Sequence, residues 1–218
     1  MKKQSALIFY GGWDGHQPKA TAHLLADSLE EKGFTVQLSD TLEVLEDADL
    51  LGSVDVICPC WTMGQLQGKS SENLLRAVRS GTGLGGFHGG MGDAFRGNTN
   101  YEWMVGGHFV GHPHVGRYTV RKTRNLHSIT QELPDSFEYE SEQYYMLIDP
   151  SVQVLAEADY THEGVTCSMP IVWIRPWGQG RVFYSALGHI PDEFKTFPKV
   201  WEMTVRGILW AAGRNDNN

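Results

Sequence analysis

The first third of the chain alternates two hydrophobic patterns. Ala6-Leu7-Ile8-Phe9-Tyr10 is an unbroken apolar run, as in a strand covered on both faces. Pro18 then opens a segment in which Ala22, Leu25 and Leu29 recur at helical spacing, and Gly33 ends it. Residues 34–38 and 54–58 read as the second and third strands. Ser70 or Ser71 can cap a helix carrying Leu74, Leu75 and Val78, closed by Gly81. Residues 84–88 form the fourth strand. Strand–helix alternation of this kind predicts an α/β domain, a parallel sheet with helices on both faces.

From about residue 96 to residue 170 the rhythm changes. Residues 118–122, 138–148 and 152–156 read as strands with no helix between them. No Pro/Gly/Ser-rich linker sets this stretch apart. We therefore expect an antiparallel extension of the same sheet and one domain over 1–218. Residues 171–175 and 181–186 flank Trp177-Gly178-Gln179-Gly180, a hairpin turn. Pro198 opens a last helix with a buried stripe of Val200/Trp201, Thr204/Val205, Ile208/Leu209 and Ala212, and Gly213 ends it.

Composition narrows the partners. The net charge is −8 and no basic stripe interrupts it, so a phosphate backbone is repelled and nucleic acid is excluded as a partner. A small neutral ligand is not. The apolar run after Met1-Lys2-Lys3 has five residues before Gly11, short of the roughly 7–15 of a signal peptide core. Nothing approaches the ~20 apolar residues of a membrane helix. Three cysteines, Cys58, Cys60 and Cys167, form no even framework, which points to a reducing, cytoplasmic setting. Cys58-Pro59-Cys60 is too tight for a zinc pair and reads as two buried residues at a strand end.

Glycine is in excess, 25 of 218 residues, and the excess is clustered where an open parallel sheet binds ligands, outside the carboxyl ends of its strands. Gly11-Gly12-Trp13-Asp14-Gly15-His16, Gly85-Gly86-Phe87-His88-Gly89-Gly90 and Ser185-Ala186-Leu187-Gly188-His189 each bring a histidine to the same expected end. We expect His16, His88 and His189 to share one cleft. Gly81-Thr82-Gly83-Leu84-Gly85-Gly86 matches G-x-G-x-x-G, but it follows a helix and enters a strand, the reverse of a dinucleotide site, so no nucleotide cofactor is expected.

Gly86-Phe87-His88-Gly89-Gly90 has the small residues of a nucleophile elbow, with an imidazole at its centre in place of Ser or Cys. That imidazole can serve as base, donor or metal ligand. In residues 106–114, Pro113 and the glycines argue against a helix, so we expect a loop in which His108 is more available than His112 and His114. Period two puts Glu142 and Tyr144 on one strand face, a carboxylate and a phenol suited to sugar hydroxyls or acid–base work.

Taken together, Gly11-Gly12…His16, Gly86–Gly90, Gly107-His108-Phe109…His112-Pro113, Glu142-x-Tyr144, Gly180-Arg181-Val182-Phe183-Tyr184-Ser185-Ala186-Leu187-Gly188-His189 and Leu209-Trp210-Ala211-Ala212-Gly213-Arg214 resemble the ThuA-like (trehalose utilisation) family. The resemblance implies a three-layer flavodoxin-like fold, mostly parallel, of the class I glutamine amidotransferase-like superfamily. In that superfamily the elbow holds a cysteine. Here it holds His88, and the acidic residues after His189 are Asp192 and Glu193. The resemblance therefore implies carbohydrate metabolism without glutaminase chemistry.

The expectation is an enzyme of hydrolase-like or isomerase-like type on a disaccharide or oxidised sugar. His88, Glu142 and His189 are its catalytic candidates. Gly12, Trp13, His16, Gly89 and Tyr144 are candidates for binding the sugar. His16, His88, His108 and Glu142 are candidate ligands of a divalent metal, zinc by its taste for imidazole and carboxylate. The alternative is a non-catalytic carbohydrate-binding or regulatory protein, with Trp13, Trp61 and Trp103 stacking on sugar rings. A homodimer through the last helix and the middle strands is the expected assembly.

Overall fold

The computed structural model describes residues 3–213; residues 1–2 and 214–218, including Arg214 of the last motif, lie outside the described residues. The chain opens with β1 (Ser5–Gly12), α1 (Pro18–Glu31), β2 (Thr35–Ser39), α2 (Ala48–Ser53) and β3 (Val56–Thr62). It continues with α3 (Gly68–Arg79), β4 (Gly83–Phe87), α4 (His88–Gly92) and α5 (Thr99–Val105). Then come β5 (Gly107–Lys122), β6 (Ser136–Ile148), β7 (Gln153–His162), β8 (Val165–Trp177), β9 (Gly180–Ser185), α6 (Pro191–Thr196) and α7 (Pro198–Ala211).

The apolar runs do what their pattern requires. Leu7, Ile8 and Phe9 are fully buried because β1 lies between β2 and β3 with both faces covered. α1 starts on Pro18 and buries Ala22, Leu25 and Leu29. α3 begins at Gly68 after Gln67, earlier than the serine cap expected from the sequence.

One nine-stranded sheet runs in the order β2-β1-β3-β4-β9-β8-β7-β5-β6. The pairings among β2, β1, β3, β4 and β9 are parallel. The pairings from β9 through β8, β7 and β5 to β6 are antiparallel. The sheet is therefore mixed in equal parts, four pairings of each kind, rather than mostly parallel.

Two local expectations change. Residues 107–114 belong to strand β5 and not to a loop. β5 shifts register between Phe109 and Gly111 and again before His114, and such bulges accommodate Gly111 and Pro113 within a strand. The middle region also holds a helix, α5, whose first turn is capped by Asn98 accepting from the Tyr101 N–H.

The glycines of the false dinucleotide motif serve packing. A Cβ on Gly83 would meet the carbonyl of Ala211 in α7, and one on Gly85 would lie 3.0 Å from Ile208. They let α7 lie directly against β4. Cys58 and Cys60 are buried beneath the sheet's working end, and burial pushes the Cys60 thiol up to about 12. Among the described residues no helix is long and apolar enough to cross a membrane.

Candidate active site

Three strand ends deliver three histidines. After β1, Gly12 crosses so close to Thr62 that any Cβ would strike its carbonyl, and a short turn at Asp14–His16 folds His16 inward. His16 is 7% exposed, and its Nδ1 lies 2.7 Å from Thr62 Oγ1. After β4, the elbow holds His88 at φ +46°, the left-handed region that side chains rarely adopt. His88 is 2% exposed; its Nδ1 lies 3.1 Å from Tyr144 Oη, and its carbonyl accepts from Tyr184 Oη. After β9, Gly188 leads to His189, whose N–H donates to Glu193 Oε2 at 3.1 Å. The ring centroids are 4.8 Å apart for His16–His88, 4.9 Å for His16–His189 and 5.3 Å for His88–His189.

Glu142 reaches this cluster from β6. Its Oε2 lies 3.5 Å from His189 Nδ1, 3.7 Å from His88 Nε2 and 4.0 Å from His16 Nε2. Those gaps are too long for hydrogen bonds, and among the described residues none of the three buried ring nitrogens has a hydrogen-bond partner. One donor atom from each of His16, His88, Glu142 and His189 lies within 4.8 Å of every other. A separate cavity of about 10 Å³ lies against the three histidines on the side of Pro18, Thr21, Cys60 and Phe87, and Glu142 does not line it.

The charges follow from this enclosure. Burial, reinforced by the neighbouring His16 and His189, holds His88 well below the usual imidazole range, so its ring is neutral. Burial opposes ionisation of Glu142 as well, but His16, His189 and His88 outweigh it and hold the carboxyl below the usual carboxylate range. The Glu142 carboxylate beside it raises His189.

The expected residues divide into those gathered here and those placed elsewhere. His16, His88, Glu142 and His189 meet. His108 does not: its ring is 41% exposed and sits 3.8 Å from Glu102. β5 pairs His108 with Leu147, well along β6 from Glu142. The fourth place in the cluster goes to His189, which the sequence reading set apart as a catalytic group and not as a metal ligand. His112, turned by the bulge, approaches the outer oxygen, Glu142 Oε1, at 3.6 Å.

Trp13 stands at the rim, 46% exposed and edge-on to His16 at 4.8 Å. Tyr144 is 1% exposed, packed between His88 and Phe109. Gly89 lies beneath His16 and Tyr144, where a Cβ would strike the His16 ring. Trp61 packs over Gly11 and Gly64, and Trp103 bonds Asp149 and packs on Trp177, so neither joins the cluster.

Two supporting residues, Thr62 and Glu193, were given no role from the sequence. Thr62 holds His16. Glu193 accepts from Tyr139 Oη at 2.7 Å, Ser141 Oγ at 2.8 Å and the His189 N–H, tying α6 to β6 and so fixing His189 against Glu142. The signal for Glu193 was an acidic residue in the first turn of a helix four positions after His189.

The arrangement is similar to known structures over its whole length. A ThuA-like protein from Parabacteroides merdae aligns at TM-score 0.78 and 16% identity, covering 100% of this chain and 93% of that one. A ThuA-like protein from Bacteroides uniformis aligns at TM-score 0.76 and 20% identity, covering 96% and 93%. A cytoplasmic protein from Salmonella typhimurium aligns at TM-score 0.64 and 14% identity, covering 96% and 98%. At these identities the likeness is one of fold. No curated protein sequence matches the chain. The family model described as trehalose utilisation, ThuA, matches residues 5–211, and the chain belongs to that family.

Proposed function

We propose that this protein is a metal-assisted acid–base enzyme acting on a disaccharide or oxidised sugar related to trehalose, with His16, His88, Glu142 and His189 as ligands of a divalent cation. The observation that carries the reading is the set of three ring nitrogens, without a hydrogen-bond partner among the described residues, gathered round one carboxylate oxygen. Zinc binds imidazole nitrogen and carboxylate oxygen tetrahedrally at about 2.0–2.2 Å, which sets neighbouring donors roughly 3.3–3.6 Å apart. The His189 and His88 gaps to Glu142 Oε2, 3.5 and 3.7 Å, are close to that spacing.

The outer contacts fit as well. Thr62 and Tyr144 occupy Nδ1 of His16 and His88, which fixes each ring and leaves Nε2 towards Glu142, the usual support of a metal-bound histidine. When bound, the cation would polarise a carbonyl or lower the pKa of a water. The chain's own residues do the rest. Neutral His88 and ionised Glu142 need no proton rearrangement to act as ligands. His112 stands on the solvent side of Glu142, 40% exposed, within reach of a substrate proton. Trp13 offers an aromatic face at the rim to a sugar ring. An imidazole at the elbow forms no thioester, so glutaminase chemistry is not part of the reading.

The same reading includes a small carbohydrate as ligand and a cytoplasmic location, the word used of the Salmonella neighbour. It also takes the parallel half, ordered β2-β1-β3-β4-β9, as flavodoxin-like, since that fold has order 2-1-3-4-5.

The test is metal analysis of purified protein after dialysis against zinc. Near-stoichiometric zinc in the wild type, lost in both His88→Ala and Glu142→Gln, supports the site. A wild type that retains no divalent metal removes it. Turnover of native or oxidised disaccharides that survives His88→Ala would discredit the catalytic role.

A further inference from the structure

A second, larger cavity of about 410 Å³ is within the range of small-molecule sites. Its walls are the segments that follow β3 and β4, so it opens at the carboxyl ends of parallel strands, where such sheets bind ligands. The lining is rich in amides and hydroxyls: Gln65, Gln67, Asn98, Thr99 and Asn100, with Arg96 among them.

The walls are preformed. Met63 and Ala94 form a bridge, the Met63 N–H donates to the Asp93 carbonyl at 2.8 Å, and the Phe95 N–H donates to the Met63 carbonyl at 3.0 Å. Met63 and Phe95 are held at φ +60° and +55°, a conformation costly for such side chains and kept only where surroundings dictate it. Asn98 closes the floor by donating to the Leu66 carbonyl and to Ser71 Oγ.

Arg96 is the one charged side chain of the lining, and the Glu102 carboxylate behind it is taken up by the Gly97 N–H at 2.9 Å. The Arg96 guanidinium is paired bidentately with Asp93, Nε to Oδ1 at 2.5 Å and Nη2 to Oδ2 at 2.8 Å. Its guanidinium is also linked to the histidine cluster through packed rings. Arg96 lies over the Phe109 ring at 5.3 Å, Phe109 packs on Tyr144 at 4.5 Å, and Tyr144 packs on His88 at 4.1 Å. A neutral surface of amides suits a neutral polyhydroxylated ligand better than a phosphate or a carboxylate. His16 and His88 are 7% and 2% exposed, so most of any sugar must lie outside the cluster.

We propose that the cleft at Gln65, Gln67, Arg96 and Asn100 is a subsite for the second ring of a disaccharide whose first ring is held at the histidine cluster. This rests on the carbohydrate reading above and adds to it a preference for two rings over one. Arg96 and the amide side chains would donate to the hydroxyls of the distal ring.

The experiment is isothermal titration of zinc-dialysed full-length protein with trehalose and, separately, with glucose. The variants are wild type and Gln67→Leu/Asn100→Leu, both positions exposed. Thermal unfolding and zinc content serve as folding controls. Wild type should bind trehalose about tenfold or more tightly than glucose, a few hydrogen bonds' worth. The double variant should bring trehalose down towards glucose while glucose binding and zinc content stay as they were. Equal affinities in the wild type, or an unchanged ratio in the variant, overturn the subsite alone. A wild type that binds neither sugar overturns the subsite together with the carbohydrate reading.

Discussion

Gly89→Ala isolates the geometry of the histidine cluster from its chemistry, because no donor atom is removed. Gly89 sits in α4 with a φ outside the left-handed region, so alanine meets no backbone strain there. Helix propensity alone would favour alanine by up to about 1 kcal/mol. Sterics oppose it. The new Cβ would strike His16 Cε1, with Nδ1 at 2.5 Å and Tyr144 Oη at 2.9 Å, against an ordinary carbon contact of about 3.5–4.0 Å. Neither neighbour can yield freely. His16 is held by Thr62 at 2.7 Å and enclosed by Trp13, His88 and His189 at 4.8, 4.8 and 4.9 Å, while Tyr144 is buried. Overpacking of this kind costs about 1–3 kcal/mol. Net of the full propensity gain about 0–2 kcal/mol remains, so Tm should fall by up to roughly 8 °C at about 2–4 °C per kcal/mol for a chain of this size. Displacing one ligand ring should weaken zinc binding by about 10–100-fold. Gly52→Ala is the control: Gly52 lies exposed in α2 with no heavy atom within 4 Å of its Cβ, and alanine there should gain about 0.5–1 kcal/mol. Circular-dichroism melts in chelator and zinc titration calorimetry read both quantities. If Gly89→Ala melts at or above wild type and binds zinc equally well, the packing of His16 on Gly89 is wrong.

Three further outcomes follow from the same contacts. Tyr144→Phe removes the hydroxyl from His88 Nδ1 and should cost about 10–100-fold in zinc affinity with the fold retained; calorimetry showing an unchanged constant refutes the support role. Glu193→Ala strands the buried Tyr139 hydroxyl and frees Ser141 and the His189 N–H, a loss of about 2–3 kcal/mol, measurable by urea denaturation and refuted by an unchanged midpoint. The Glu142 carboxyl is held below its ordinary value of 4.5, so the folded, metal-free protein binds fewer protons there than the unfolded chain. Its stabilisation is complete above that value and drains as pH falls below it. Glu142→Gln should flatten the acid limb of the metal-free Tm–pH curve, and an unchanged acid limb argues against this coupling.

What the sequence disclosed and what it hid divide along range of interaction. β1, β3, β4 and the hairpin of β8 and β9 were legible because each is a local pattern ended by its own turn residues. The gathering of His16, His88 and His189 followed, since the carboxyl ends of parallel strands are forced to one side of a sheet. His108 was misassigned because its place depends on the register of β5 against β6, and two bulges set that register. The same bulges bring His112 to Glu142, where a loop reading gave it no role. Glu193 acts on Tyr139 and Ser141 across more than 50 residues, a contact that no local pattern announces. The equal share of antiparallel pairing depended on how β5, β6 and β7 order themselves beyond β8, which alternation alone leaves open.

The elbow shows how one backbone device supports a different chemistry. A left-handed φ at a strand-to-helix turn costs a non-glycine residue roughly 1–2 kcal/mol, and in hydrolases it lifts a nucleophile towards substrate. At His88 the same turn delivers a ring that is enclosed by His16, His189 and Tyr144 and points Nε2 at Glu142. Such a ring is shielded from attack on anything larger than water. The strain therefore aims a donor inward instead of presenting a nucleophile outward. The buried thiols of Cys58 and Cys60 supply no substitute, since burial raises both. Covalent acyl transfer is thereby removed from the elbow, and what the position can still provide is a neutral, rigidly oriented imidazole. Such an imidazole is of use only as part of a group, and its companions His16, Glu142 and His189 come from three other elements. If the cluster binds zinc as proposed, loss of any one of its four members should lower zinc retention in metal analysis, and full retention in any single variant would refute the shared site.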